Sequence, residues 1–204
     1  VDLATGWTEQ RAVWGKGEHG VLEAIKSIEE ALPFPIRGFD CDNGNEFLNW
    51  HLLKHFADRK RPVQFTRSRE YQKNDNAHVE GKNWTHVRQY LGYDRLDQQR
   101  SVDDLNQLYT TEWRLFLNFF LPSTKLIKKQ RVKSKLIKKY DQPKTPFQRL
   151  LESQSVSQAS KDRLQILYQT LNPFLLQKQI KRKIHNILKY GSPAQPILDN
   201  KRTA

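Results

Sequence analysis

From Pro35 to Pro62 the chain changes its hydrophobic pattern twice, and that alternation limits the folds open to it. Ile36 to Cys41 reads as a short buried strand. It stops at Asp42-Asn43-Gly44, a strong turn signal. Glu46 to Phe56 then places Phe47, Trp50, Leu52 and Leu53 at helical spacing. Pro62 to Thr66 returns to a strand pattern, with Val63 and Phe65 on one face. Strand, helix and strand in succession belong to α/β proteins.

The flanking segments extend the pattern. Val1 to Leu3 reads as a strand tail, Ala4-Thr5-Gly6 as a turn, and Trp7 to Trp14 as the second strand of that hairpin. Val21 to Leu32 is an expected amphipathic helix through Leu22, Ile25, Ile28 and Leu32, ended by Pro33 and Pro35. Tyr71 to Ala77 is polar and loop-like. His78 to Leu91 is an expected helix burying Val79, Trp84, Val87 and Leu91. Val102 to Leu121 is a longer one, burying Leu105, Leu108, Trp113, Phe116, Leu117 and Phe120, and Pro122 stops it. The order predicts a mixed sheet with helical cover.

The character changes after Pro122. Residues 122–152 read as a basic, Pro-containing extension and 153–160 as a Ser/Gln-rich linker. Residues 161–190 read as a helical segment broken near Asn172-Pro173, and 191–204 as a frayed tail. Within the extension, Lys125, Lys128, Lys129, Arg131, Lys133, Lys135, Lys138 and Lys139 occur with no acid between them. Leu126, Ile127, Val132, Leu136 and Ile137 are interspersed, which suggests that the stretch also packs on something. The run Lys-Leu-Ile-Lys-Lys occurs twice, at 125–129 and 135–139.

Formal net charge is +13, a field that favours polyanionic partners such as nucleic acid. The single cysteine, Cys41, leaves no intramolecular disulfide framework and suits a reducing compartment. The same charge would suit an anionic membrane surface, but no apolar run approaches the ~20 residues of a span and the β-branched, Lys-paired pattern of 125–139 gives no clean apolar face, so no membrane partner is expected.

The chemistry-bearing stretch is Phe39-Asp40-Cys41-Asp42-Asn43-Gly44-Asn45-Glu46-Phe47. A carboxylate at a strand end, followed by a tight turn, is held rigidly at a cleft and suits a divalent metal. Glu80, on the helix downstream, would bring a second carboxylate, and two such ions ~4 Å apart support in-line displacement at phosphorus. Asp40, two residues before Asp42, would share its side of a strand; the plainer account is a solvated strand-end carboxylate. Glu46 suits the first turn of the next helix. His51 and His55 have a zinc-compatible spacing but no further obvious ligand.

These residues carry a resemblance. Asp42-Asn43-Gly44 with Glu46-Phe47 resembles the second-Asp motif of the retroviral-integrase superfamily. Glu80, after its Asn-rich approach and before Lys82-Asn83, resembles the third acidic motif. The intervening 37 residues lie close to the D,D-35-E spacing of that family. Val1-Asp2-Leu3-Ala4-Thr5-Gly6-Trp7 is similar to the family's second strand and turn, a position where the Asp is not catalytic. Residues 122–146 look like a segment of bacterial insertion-sequence members.

The resemblance implies an integrase-like catalytic core over 1–121 with a ribonuclease H-like fold lacking its first strand. It implies DNA transposition or integration by metal-dependent strand transfer, with Asp42 and Glu80 binding two Mg²⁺ (or Mn²⁺) ions beside an Asp upstream of Val1. The partners implied are element ends and target DNA, and a second copy of the protein on that DNA, in a bacterial cytoplasm at the nucleoid. DNA contacts are expected from Lys82, Arg88 and the eight cations of 125–139, with Lys181-Arg182-Lys183 as further candidates. An opening at Val1 and the lack of any Met suggest a fragment, expected to be inactive alone. The alternatives are an inactive remnant that at most binds DNA, and a hydrolytic nuclease on the same fold.

Overall fold

The computed structural model describes residues 1–15, 17–41, 50–67 and 84–191. The chain is a mixed α/β protein in which helices dominate and the described strands form two small, two-stranded sheets. Helix α1 (Glu18–Ala31) leads to β1 (Gly38–Cys41), α2 (Trp50–Ala57) and β2 (Gln64–Arg67). β1 and β2 pair in parallel, with Phe39 opposite Phe65 and Cys41 opposite Arg67. Parallel neighbours need a crossover, and α2 belongs to it. Val21, Leu22 and Ile25 of α1 close over Leu52, Phe56 and Val63, with Phe39 and Phe65 packed alongside. β1 is less buried than its apolar pattern predicted: Gly38 and Asp40 are exposed.

Residues 84–91 follow, wound as a π-helix over Trp84–Arg88 and continuing as α3 (Gln89–Leu91). Trp84, expected in the core, is exposed, whereas Leu91 is buried and Val87 packs beside it. The long aromatic helix expected to Leu121 divides into α4 (Gln99–Leu108), a π-turn (Tyr109–Trp113) and α5 (Arg114–Phe120). Thr111, at φ −113° and ψ −106°, marks the break. Its hydroxyl donates back to the Gln107 carbonyl at 2.5 Å, an alternative to the helical ladder.

The expected N-terminal hairpin is absent. The Asp2 carboxylate accepts from the backbone and hydroxyl of Thr5 (2.7 and 2.6 Å) and folds the first residues into a turn. The segment after it is extended but pairs with side chains instead of a strand. Asn118 accepts from Thr8 N–H and donates to the Thr8 carbonyl, both at 2.8 Å. Asn106 does the same to Ala12 at 2.8 and 2.9 Å. A carboxamide carries both N–H donors and a carbonyl acceptor, so each of two asparagines on the helices pairs with one residue's N–H and carbonyl as a neighbouring strand would. Buried Glu9 reinforces it, accepting from Trp7 Nε1 at 3.0 Å and from Arg114 Nε at 2.5 Å.

Residues 146–188 belong to the same body. Helix α6 (Pro146–Glu152) starts with a capping box between Thr145 and Gln148. α7 (Gln158–Thr170) begins inside the expected 153–160 linker, capped by Ser157, and Val156 and Ser160 are buried. α8 (Pro173–Leu188) is capped by Asn172, at the break foreseen from Asn172-Pro173. Phe147, Leu150, Val156 and Leu164 form one core cluster with Trp7 and Phe119. Ile180 and Ile187 of α8 join Leu105, Leu108, Tyr109 and Trp113 in another. No helix among the described residues is long and apolar enough to cross a membrane.

Candidate nucleic-acid interface

The basic run folds as an antiparallel ribbon, β3 (Leu126–Val132) and β4 (Lys135–Tyr140). β-branched Ile127, Val132 and Ile137 suit strands. Val132 opposite Lys135 leaves Lys133 and Ser134 as a two-residue loop, and Lys133 adopts φ +55° there. The Lys-Lys ends of the two Lys-Leu-Ile-Lys-Lys runs therefore lie against each other, with a bulge between Leu126 and Lys128.

Every residue of both strands is exposed. The aliphatic side chains expected to pack on something do not pack on this chain: Ile127 and Ile137 are 62% and 55% exposed. Lys128 stands opposite Lys139 and Lys129 opposite Lys138. Like charges directly across a ladder destabilise it, and an anion bound between them removes that repulsion.

The base of the ribbon is clamped. The Asp141 carboxylate accepts from the Lys125 N–H and from Arg149 of α6, each at 2.6 Å, and Asp141 N–H donates to the Lys125 carbonyl. The Arg149 hydrogen bond, then that of the Lys125 N–H, hold the Asp141 carboxyl below its ordinary range. Arg149 also donates to the Ser123 carbonyl at 2.8 Å, and Ser123 and Lys144 exchange backbone hydrogen bonds. The Lys125 ammonium donates to the carbonyls of Leu3 (2.6 Å) and Ala4, so it ties the N-terminal turn to the base. The seven cations beyond it, Lys128, Lys129, Arg131, Lys133, Lys135, Lys138 and Lys139, lie along the exposed ribbon.

The other candidates are scattered. Arg88 is exposed, stacks 5.0 Å from the Tyr93 ring and reaches the Gly92 carbonyl at 3.4 Å. On α8, Lys181 and Arg182 are exposed, while Lys183 pairs with Glu112 at 2.7 Å. Asp42, Glu80 and Lys82 lie outside the described residues. Asp40 is exposed and accepts from the Thr66 hydroxyl at 2.8 Å. Among the described residues no three His, Cys, Asp or Glu side chains group as metal ligands.

His51 and His55 line a shallow depression with Leu22, Lys26, Lys54, Asp58 and Arg59. His55 Nε2 sits 3.2 Å from Glu29 and accepts from Arg59 at 2.5 Å. Arg59 also pairs with Glu29, and its hydrogen bond is the main cause that lowers the Glu29 carboxyl pKa. These three groups fasten α2 to α1.

Sequence reasoning located the cations but missed the hairpin. The available signal was the repeated run on either side of a short polar turn. The asparagine pairing left no signal, since Asn106 and Asn118 read as ordinary helix-surface residues.

No family model and no solved structure matches the chain. Over 149 residues it is 38% identical to the uncharacterized protein y4rM of Sinorhizobium fredii (strain NBRC 101917 / NGR234). The match covers 73% of this chain and 42% of y4rM, so the chain spans less than half the length of that curated relative.

Proposed function

We propose that this chain engages DNA through the β3–β4 ribbon as part of a ribonuclease H-like strand-transfer protein of the integrase and transposase type. The ribbon carries the reading: seven cations, no acid, no contact burying its apolar side chains, and a clamped base that presents it without first having to order it. Each phosphate that a cation neutralises releases counterions, which drives association without sequence preference. The parallel β1–α2–β2 unit supports the chemical half. In open α/β sheets ligands bind beyond the carboxyl ends of parallel strands, and β1 ends at Cys41, one residue before Asp42 in sequence.

In this proposal Asp42 and Glu80 hold Mg²⁺ or Mn²⁺ with a further carboxylate. When bound, the metal activates the attacking oxygen and stabilises the leaving one. The protein acts as copies assembled on element ends and target in a bacterial nucleoid.

The test has two parts. Salt titration of duplex-DNA binding should show a steep slope, reduced by ~0.9 for each ribbon cation that contacts phosphate and is replaced by Gln. An unchanged slope after all seven replacements would remove the ribbon from the interface. Oligonucleotide cleavage and joining with Mn²⁺ should be assayed with the whole protein. It should react, and Asp42→Asn and Glu80→Gln should each abolish the reaction while leaving DNA affinity unchanged. Activity that survives both changes would sink the strand-transfer assignment, and release of hydrolysed product alone would replace it with a nuclease.

A further inference from the structure

The ribbon has a second property that a simple basic patch lacks. Consecutive strand residues point to opposite faces, and directly paired residues share one. The register therefore puts Lys128, Lys135 and Lys139 on one face and Lys129, Arg131 and Lys138 on the other, with Lys133 at the tip. A flat anionic surface, such as a lipid headgroup layer, would engage one face and leave the other in water. A groove walled by phosphates on both sides engages both.

The faces also carry aliphatic side chains. Val132 and Ile137 lie among the cations of the first face and Leu136 among those of the second, all exposed. The ribbon's one aromatic side chain is Tyr140 at its clamped base, a single platform, whereas single-strand binders stack successive bases on several. The major groove of B-form DNA is ~12 Å wide and admits a two-stranded ribbon, and its floor displays thymine methyl groups that take apolar contact. The major groove of A-form RNA is too narrow for side chains to read.

Resting on the reading of the ribbon as the DNA contact, we infer that β3–β4 enters the major groove of B-form duplex DNA. The ribbon enters by its Lys133 tip, so the two cation faces meet the two phosphate walls, and Val132 and Leu136, on the two rungs next to the turn, lie nearest the base edges. The partner is thus double-stranded, and the ribbon adds a preference for thymine methyls to otherwise sequence-tolerant binding.

The experiment measures fluorescence anisotropy of the full chain on four ligands of one sequence: duplex DNA, the same duplex with deoxyuridine for thymidine, duplex RNA, and single-stranded DNA. Duplex DNA should bind at least about tenfold more tightly than RNA or single strands. Removing the methyls should weaken binding by roughly three- to fivefold, the effect of one or two lost methyl contacts. Lys128→Gln/Lys135→Gln/Lys139→Gln and Lys129→Gln/Arg131→Gln/Lys138→Gln should each lower the salt slope by up to about 2.7, at ~0.9 per contact. All six positions are exposed and touch no core, so the folded body persists.

Equal affinity for the thymidine and deoxyuridine duplexes would overturn the groove assignment. So would equal affinity for RNA or single strands, or a slope that responds to one face only. Loss of all dependence on both triple variants is a different result: it removes the ribbon from DNA altogether and with it the underlying reading. Binding of phosphatidylserine vesicles as tight as that of duplex DNA would also overturn the proposal.

Discussion

The ribbon and the helical body beneath it use the same aliphatic side chains to opposite ends. Ile187 on α8 is 1% exposed and Leu150 on α6 is 0%, while Ile137 and Leu136 on β4 are 55% and 48% exposed. Residue type does not separate them. In the body each apolar side chain meets others from distant parts of the chain: Trp7, near the N-terminus, packs with Phe119, Phe147 and Leu164. On the ribbon the neighbours are lysines, whose desolvation would cost more than burying a leucine returns. An aliphatic group among clustered charges stays in water until a partner supplies both counter-charge and apolar contact.

The largest expected effect tests this contrast directly. Trp7→Ala should cost roughly 3–5 kcal/mol of unfolding free energy, since Trp7 is almost fully buried. Ile137→Ala should change it by less than about 0.5 kcal/mol. Denaturant midpoints give both numbers, and a large loss from Ile137→Ala would show that the ribbon packs on the body in solution.

Asn118→Ala comes next, at about 2–4 kcal/mol. It strands the N–H and carbonyl of Thr8 in a buried setting, and each costs about 1–3 kcal/mol unpaired. A neutral outcome would mean that the segment after Trp7 finds other partners.

The body should also respond to alkaline pH. Burial pushes the Tyr109 phenol up to about 12. Between its ordinary value near 10 and about 12 the unfolded chain has lost that proton while the folded chain keeps it. Stability should therefore fall by about 1.4 kcal/mol per pH unit across that window. Tyr109→Phe should flatten that component of the slope, and an unaltered slope would show that Tyr109 is not its source.

The smallest effect belongs to the ribbon alone. Lys133 adopts φ +55°, a conformation that costs a side-chain-bearing residue about 1 kcal/mol. Lys133→Gly should raise hydrogen-exchange protection of the ribbon amides several-fold and leave global stability unchanged. Protection that falls instead would locate the turn's stability in the lysine side chain.

Much of the local structure was legible. The strand patterns before Asp42 and after Pro62, α1, the helix break at Asn172-Pro173 and the buried stripe Leu105, Leu108, Trp113 and Leu117 follow from spacing and from proline. Their cause is local: period, propensity and capping act within a few residues. Three other features were not legible. The 7–14 segment reads as a strand because its residues favour extended backbone, yet nothing nearby tells that its hydrogen bonds go to Asn106 and Asn118. The 153–160 stretch reads as a linker because Ser and Gln are common in linkers, although Ser157 caps a helix and Val156 fills a core. The ribbon was recognised as charge but not as a hairpin, because propensity for Lys, Leu and Ile does not decide between strand and helix. At the candidate site the cations were legible residue by residue, whereas Lys125's attachment to the N-terminal turn follows only from the fold, which brings residues more than 120 positions apart together.

Sequence alone determined the chemistry available to this protein: a large positive charge, an acid-free basic run, carboxylates at Asp42 and Glu80, and alternating strand and helix patterns. These are properties of residue identity and short-range order, so they survive any arrangement of the chain. Tertiary structure decided which of them work together. It joined the N-terminal turn, the aromatic helices and the C-terminal helices into one body, because burying apolar area rewards contact regardless of separation along the chain. It also left the basic run standing outside that body, because charges crowded on both faces of a ribbon have no favourable place to be buried.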